Sequence, residues 1–246
     1  MRYGSLQFYP RKKARKIIPR VNWKFLYNLS VISDLYKNAS LLGFIGYKVG
    51  MGSAYVKDNT QYSLTKGNKI TIPVTIIEFP TVKILSIRFY KENKLMGEIL
   101  NQNLDKELKR KIKLPKNIKK EINFEKYKDD DIRIVVYSLV KKTGIKKSPD
   151  ISEIGLSGSI EEKIKFVKEN LNKEIRINDF LNDELIKLGL VDIRGVTKGK
   201  GFQGSTKRFG LSLQAHKSEK GIRGPGSGGP WHPARVEFRQ PMAGQM

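Results

Sequence analysis

The sequence contains no cysteine and only two histidines, His216 and His232. The lack of cysteine excludes disulfide bonds, zinc ribbons and thiol catalysis. Lys217 and Arg235 lie near the two histidines, and this cationic setting disfavours metal binding. No Ser/His/Asp set is legible, and any pair of carboxylates would be an arbitrary choice. We therefore expect no metal site, no cofactor and no enzymatic activity.

Long apolar runs are also missing. No window approaches the roughly 18 consecutive apolar residues of a transmembrane helix, and residues 1–16 lack the apolar stretch of a signal peptide. Neither end of the chain carries a basic amphipathic helix with a bulky apolar face, as a peripheral membrane protein would. We expect no membrane partner, and a cytoplasmic location follows as the default.

Acidic residues are scarce for a chain of 246 residues, which has room for one or two domains. There are 48 Lys and Arg against 24 Asp and Glu, so the net charge is +24 and the pI is near 10.0. Such self-repulsion is typical of a protein whose partner is a polyanion. Nucleic acid is the first candidate partner and an anionic membrane surface the second.

Residues 1–24 hold eight basic side chains and no acid, with aromatic residues such as Trp23 between them. Prolines at 10 and 19 argue against one long helix. The composition fits an extended arm over residues 1–40 that becomes ordered on RNA, because aromatic and Arg side chains stack on bases. A disordered basic tail is the alternative.

The middle of the chain predicts a mainly β fold with an α/β insertion. Residues 41–56 and 69–79 read as adjacent antiparallel strands, the first bent or bulged at its glycines, and residues 132–140 as another strand. Lys- and Glu-rich residues 89–130 suggest one or two surface helices. Ser159 and Glu162 form a capping-box signature before a helix. Short strands or strand–turn units are expected at residues 174–181 and 189–196.

The last part of the chain, from residue 195, has 11 of the 22 glycines and nine basic residues against two acids. It shows no apolar periodicity, so it cannot build a core of its own and should fold only against something else. These shifts in composition divide the chain into residues 1–40, 41–88, 89–190 and 191–246.

Residues 199–204 match the pattern G-x-G-x-x-G. A dinucleotide site would need a helix opening at the last glycine and an acid about 20 residues on. Here Gly210 stops any helix after one turn, and position 224 is glycine. The alternative is close approach of the backbone to a sugar–phosphate chain, with interspersed cations supplying charge.

Several motifs resemble the universal large-subunit ribosomal protein of the L-three family, in its archaeal and eukaryotic branch. They are "GSLQFYPRKKARKIIPRV", "LLGFIGYKVGM", "DIRGVTKGKGFQGSTKRFG", "GPWHPARV" and "MAGQM". The resemblance runs in order from residue 4 to 246 and is weak only at about residues 89–130.

The resemblance implies a translation-protein-type β-barrel with a long basic N-terminal arm and a glycine-rich finger. The finger would thread between rRNA helices toward the peptidyl transferase centre. The residues that the resemblance places at the tip of the finger lie in "GPWHPAR". Without the resemblance, this stretch between prolines is equally typical of a rigid loop corner. The expected rRNA-binding residues are Arg11, Lys12, Lys13, Arg15, Lys198, Gly199, Lys200, Gly201, Phe202, Gly204, Lys207, Arg208, His216, Lys217, Arg223, Trp231, His232 and Arg235.

The implied partners are the 3′ domain of large-subunit rRNA, bound early in assembly, and the ribosomal protein of the L-fourteen family. Family members continue past "AGQM" with strands that complete the barrel. We therefore expect an incomplete barrel and either a fragment or a separately encoded C-terminal part. An RNA-modifying enzyme and an RNA-binding protein outside the ribosome are the alternative functions.

Overall fold

A computed structural model describes residues 16–25, 40–115, 131–179, 189–217, 221–226 and 242–243. The chain forms two compact units, one of residues 18–193 and the other of residues 1–17 together with 194–246. Within the described ranges, every strand and every buried apolar side chain belongs to the unit of residues 18–193. The prediction of a mainly β protein is confirmed.

A two-stranded antiparallel ribbon begins this unit. Strand β1 (Tyr47–Lys57) pairs with β2 (Lys69–Glu78), and the register shifts between Lys48 and Gly50. The predicted pairing and the bulge near the glycines are confirmed. The register brings apolar and small residues of both strands to one face, namely Gly50, Gly52, Ala54, Val56, Ile70, Ile72, Val74 and Ile76.

A four-stranded antiparallel sheet forms the rest of the framework, in the order β4-β3-β5-β6. Its strands are β3 (Val82–Lys91), β4 (Lys94–Leu100), β5 (Asp131–Ser138) and β6 (Ile151–Gly155). β3 and β5 are central and rich in β-branched residues, as expected for strands that are covered by the core. The strand predicted at residues 132–140 is therefore confirmed.

Two helices follow β5. The short helix α1 (Val140–Thr143) ends at Gly144, and α2 (Ile160–Asn170) packs on the sheet. The predicted capping box is present, because the Ser159 hydroxyl accepts from the Glu162 N–H while the Glu162 carboxylate accepts from the Ser159 N–H. Val167 on the apolar face of α2 is fully buried in the core.

Residues 89–115 differ from the predicted surface helices. The chain makes a β3–β4 hairpin, with Glu92 and Asn93 at φ 48° and 67°, followed by a single 3₁₀ turn (Lys106–Arg110). Two consecutive positive φ values are the signature of a tight hairpin turn, usually formed by Asn-Gly or Asp-Gly. For residues 89–115 the prediction was wrong, because this turn uses a glutamate in the first position; the rest of the predicted range, residues 116–130, lies outside the described residues. The expected boundary between residues 88 and 89 falls inside β3.

Trp23 also differs from expectation, because it is a core residue rather than a stacking surface of the arm. Its side chain is 7% exposed and lies against Gly43 and Gly155. A Cβ added at Gly43 would lie 2.8 Å from the indole ring, and one added at Gly155 would lie 3.0 Å from the Trp23 Cβ. Close approach of this side chain therefore explains both glycines. Residues 18–25 consequently belong with the sheet unit.

The strand predicted at residues 189–196 is wrong as well. These residues carry neither helix nor strand, and Leu190, Val191 and Ile193 are exposed. A strand needs a partner to satisfy its backbone groups, and the described residues offer none there. In residues 174–181, Ile175 makes one antiparallel bridge to Val82 before a 3₁₀ turn (Ile177–Asp179).

Polar contacts link the ribbon to the sheet. The Tyr47 hydroxyl donates to Asp150 at 2.6 Å and contacts the Ser138 hydroxyl at 2.8 Å. Burial and the hydrogen bond to Asp150 raise the pKa of Tyr47 far above its ordinary value. Burial opposes ionisation of Asp150, but hydrogen bonds from Lys146 and Tyr47 outweigh it and lower the pKa of this carboxyl.

Candidate nucleic-acid interface

The glycine-rich segment, residues 194–226, is largely irregular in its described parts. Its one helix there, α3 (Ser205–Phe209), begins after Gly204 and ends at Gly210, which has φ 69°. Because a left-handed residue cannot continue a helix, the predicted stop after one turn is confirmed. The helix opens directly after the G-x-G-x-x-G pattern but is too short to serve as a dinucleotide-binding helix.

A few hydrogen bonds hold this segment together. The Gln214 N–H donates to the Ile222 carbonyl at 3.0 Å, and the Thr206 hydroxyl donates to the Arg223 carbonyl at 3.1 Å. Ser205 is the one buried residue among residues 194–217 and 221–226. The segment therefore lacks a hydrophobic core of its own in these ranges, as its composition predicts.

Seven cationic side chains of this segment are exposed, and none has an acidic partner among the residues that the structure describes. No Asp or Glu occurs in its described parts. The seven are Arg194, Lys198, Lys200, Lys207, Arg208, Lys217 and Arg223.

In the unit of residues 18–193, by contrast, several cationic side chains form ion pairs with acidic ones. On one face of the four-stranded sheet, Arg88 and Arg133 both contact Glu153, at 2.8 and 3.4 Å. Elsewhere Lys83 pairs with Asp105 at 3.1 Å, and Lys142 with Glu174 at 2.6 Å. The unit of residues 18–193 therefore neutralises some of its cations internally, whereas the described parts of the glycine-rich segment neutralise none.

The glycines of the segment fall into two groups. Gly201 and Gly210 have φ of 64° and 69°, so the backbone itself requires glycine at both positions. Gly199 and Gly204 have no such φ, and a Cβ placed on either would meet no atom within 4 Å. Nothing within the described chain therefore explains why these two positions lack a side chain.

Two aromatic rings accompany the cations. Phe202 is 79% exposed, and the Arg208 guanidinium lies 5.7 Å from the ring centroid of the partly exposed Phe209. Exposed rings beside cations provide stacking surfaces for bases as well as charge for phosphates. His216 is exposed next to Lys217 at the end of the same stretch.

Eleven of the expected binding residues are described, and all lie in the glycine-rich segment. They are Lys198, Gly199, Lys200, Gly201, Phe202, Gly204, Lys207, Arg208, His216, Lys217 and Arg223. The others, Arg11, Lys12, Lys13, Arg15, Trp231, His232 and Arg235, lie outside the described residues. Arg194, which opens the acid-free run that follows Asp192, is exposed in the same segment but is not among the expected residues.

The described ranges contain neither a cluster of metal-ligating side chains nor a helix suited to cross a membrane. These ranges contain no group of three or more His, Asp or Glu side chains arranged to hold a metal ion. They also contain no helix with the length and apolar character needed to cross a bilayer.

Comparison with known proteins decides the family. The model of the family "Ribosomal protein L3" matches residues 1–246. The chain belongs to the ribosomal protein L3 family. It is 39% identical to "Large ribosomal subunit protein uL3" of Methanocaldococcus jannaschii and of Methanobrevibacter smithii, and 36% identical to that of Archaeoglobus fulgidus. Each alignment covers 100% of this chain and 73% of the relative.

The L3 family match includes the whole glycine-rich segment and both strands of the ribbon. The resemblance expected from the motifs is therefore confirmed for the full range of described residues.

Proposed function

We propose that this chain is a structural protein of the large ribosomal subunit and that its glycine-rich segment binds large-subunit rRNA. Membership of a ribosomal protein family gives the chain a structural rather than an enzymatic role. One observation supports the segment as the RNA-binding element. Seven exposed cations stand there without an acidic partner among the described residues, and these parts of the segment contain no acid at all, whereas the sheet unit pairs some of its cations internally.

The mechanism is charge neutralisation combined with close backbone approach. Each Lys or Arg that contacts a phosphate releases condensed counterions and adds about 0.7–0.9 to the salt slope of log affinity. At Gly199 and Gly204 the open space allows an RNA backbone to lie against the peptide, whose N–H groups then donate to phosphate oxygens. Phe202 stacks on a base.

A glycine substitution tests this mechanism without removing charge. We expect Gly199→Ala to leave the free energy of unfolding within about 0.5 kcal/mol of the wild type, because the added methyl group meets no atom of the chain. rRNA affinity should fall about tenfold or more, through lost charge-assisted hydrogen bonds to phosphate. Filter binding to an rRNA transcript and a urea melt measure the two effects.

Gly50→Ala is the matched control, since a Cβ at Gly50 also meets nothing within 4 Å but lies on β1. It should leave rRNA affinity unchanged. Equal affinities of the Gly199→Ala variant and the wild type would remove close approach from the mechanism.

The resemblance supports finer parts of the proposal. Arg11, Lys12, Lys13 and Arg15 belong to an N-terminal arm on rRNA, and Trp231, His232 and Arg235 form the tip of a finger near the peptidyl transferase centre. A family L14 ribosomal protein is a neighbour in the subunit. The ribbon contributes to a translation-protein-type barrel, in which further strands cover its apolar face. In support, Ile76 on that face is 54% exposed.

A further inference from the structure

The loop between β1 and β2, residues 58–68, has a defined structure and exposed side chains that play no part in the glycine-rich segment. We call it the ribbon tip. It is closed at its base by hydrogen bonds from the Asp58 N–H to the Asn68 carbonyl, at 3.0 Å, and from the Gly67 N–H to the Asp58 carbonyl, at 2.8 Å. The tip is therefore a defined loop rather than a slack connection.

The Asp58 side chain organises the interior of the ribbon tip. Its carboxylate accepts from the Thr60 N–H at 2.9 Å and from the Thr65 hydroxyl at 2.6 Å, and the residue is 7% exposed. Hydrogen bonds from the Ser63 and Thr65 hydroxyls and from Thr60 hold the pKa of Asp58 well below its ordinary value. Asp58, the only acid of the tip, thus accepts hydrogen bonds from within the loop, and its negative charge does not face the solvent.

The outward side of the ribbon tip has the opposite character. Tyr62 is 91% exposed and Leu64 is fully exposed, so neither helps to hold the loop together. Lys57, Lys66 and Lys69 on and beside the tip are exposed and have no ion-pair partner among the residues that the structure describes. A loop that carries an exposed aromatic ring, exposed cations and no solvent-facing acid complements RNA rather than an apolar protein surface.

We infer that the ribbon tip is a second RNA contact, at which an unpaired nucleotide stacks on Tyr62 while Lys57, Lys66 and Lys69 neutralise the flanking phosphates. A preformed loop suits this role, because little backbone conformational entropy is lost when a loop that is already held by hydrogen bonds meets RNA. The inference rests on the proposed function only in that the RNA is the same large-subunit rRNA. The two surfaces are formed by different residues and are tested separately.

Ultraviolet crosslinking of the full chain to a transcript of the 3′ domain of large-subunit rRNA tests the contact directly. Trypsin cuts after Lys57 and Lys66, so residues 58–66 form one peptide in which Tyr62 is the only aromatic residue. We expect mass spectrometry to find a nucleotide adduct on this peptide at Tyr62. A chain that binds the transcript yet gives no adduct there, with adducts on the glycine-rich segment, would overturn the inference.

Substitutions provide a second measurement. Tyr62→Ala should weaken binding of the transcript about five- to tenfold through loss of one stacked base, whereas Tyr62→Phe keeps the ring and should bind like the wild type. Lys66→Ala should lower the salt slope by about 0.7. Unchanged affinity of Tyr62→Ala contradicts the inference and indicates a protein-facing or bare tip.

The same experiment separates the two proposals. If Lys200→Ala and Arg208→Ala weaken binding but Tyr62→Ala does not, the ribbon-tip inference fails and the proposed function stands. If the wild-type chain does not bind the transcript, the proposed function itself fails.

Discussion

Replacing four cations of the glycine-rich segment with alanine should weaken rRNA binding about 10²- to 10³-fold near physiological salt. The four are Lys198, Lys200, Lys207 and Arg208, all exposed and without an acidic partner among the described residues. Because no ion pair is broken in the folded chain, the free energy of unfolding should not fall. Filter binding over a salt series measures the affinity.

The salt dependence identifies the mechanism. Loss of four phosphate contacts lowers the slope of log affinity against log salt by about 3, and the variant approaches the wild type as the salt nears about 1 M. A matched control removes the same charge from exposed lysines of the sheet unit, Lys91, Lys94, Lys109 and Lys113. If both quadruple variants lose affinity equally, net charge rather than the glycine-rich segment carries the binding.

Asp131→Asn should destabilise the sheet unit by about 3–5 kcal/mol. Lys163 on α2 is 1% exposed, and its ammonium lies 2.8 Å from the carboxylate of Asp131 at the start of β5. The asparagine keeps the volume of the side chain but removes the negative charge, so the buried ammonium loses the attraction of this carboxylate.

Replacing Lys163, the other partner of the pair, should lower the free energy of unfolding far less. Lys163→Met removes the buried cation and keeps the length of the side chain, which makes replacement of a buried charge nearly neutral. The remaining Asp131 carboxylate keeps Arg133 at 3.2 Å. Urea unfolding followed by circular dichroism measures both variants. Equal losses of stability would show that the pair acts through packing rather than through charge.

Parts of the fold could be predicted from local sequence alone. The strands at β2 and β5 follow from β-branched residues, and α2 from the Ser159–Glu162 capping box and its apolar face. These elements are specified by neighbouring residues, so one sequence is enough to find them.

Other parts depend on contacts that a single sequence does not display. The β3–β4 hairpin turns at Glu92 and Asn93 without a glycine, so Lys- and Glu-rich residues resembled a helix. Trp23 sits among basic residues in the sequence but is buried against Gly43 and Gly155, which are distant in the chain. Tertiary packing, rather than composition, decides both cases.

The candidate interface shows the same division. The sequence alone shows that residues 194–217 are rich in glycine and free of acids, and it predicts the end of the helix at Gly210. That the cations of this segment have no acidic partner among the described residues, while some of those in the sheet unit are paired, is a three-dimensional fact. The character of the ribbon tip could not be predicted, because only the structure shows Asp58 turned inward and Tyr62 outward.

Amide hydrogen exchange of the full chain, with and without the rRNA transcript, tests most directly whether the glycine-rich segment takes its stable form from RNA. Without RNA, residues 194–217 should exchange fast, because few hydrogen bonds and no core protect them, while β3 and β5 exchange slowly. With RNA, exchange in residues 194–217 should slow strongly and that of β3 and β5 should stay the same. Slow exchange of the segment in high salt without RNA, or no change on RNA binding, would contradict the account.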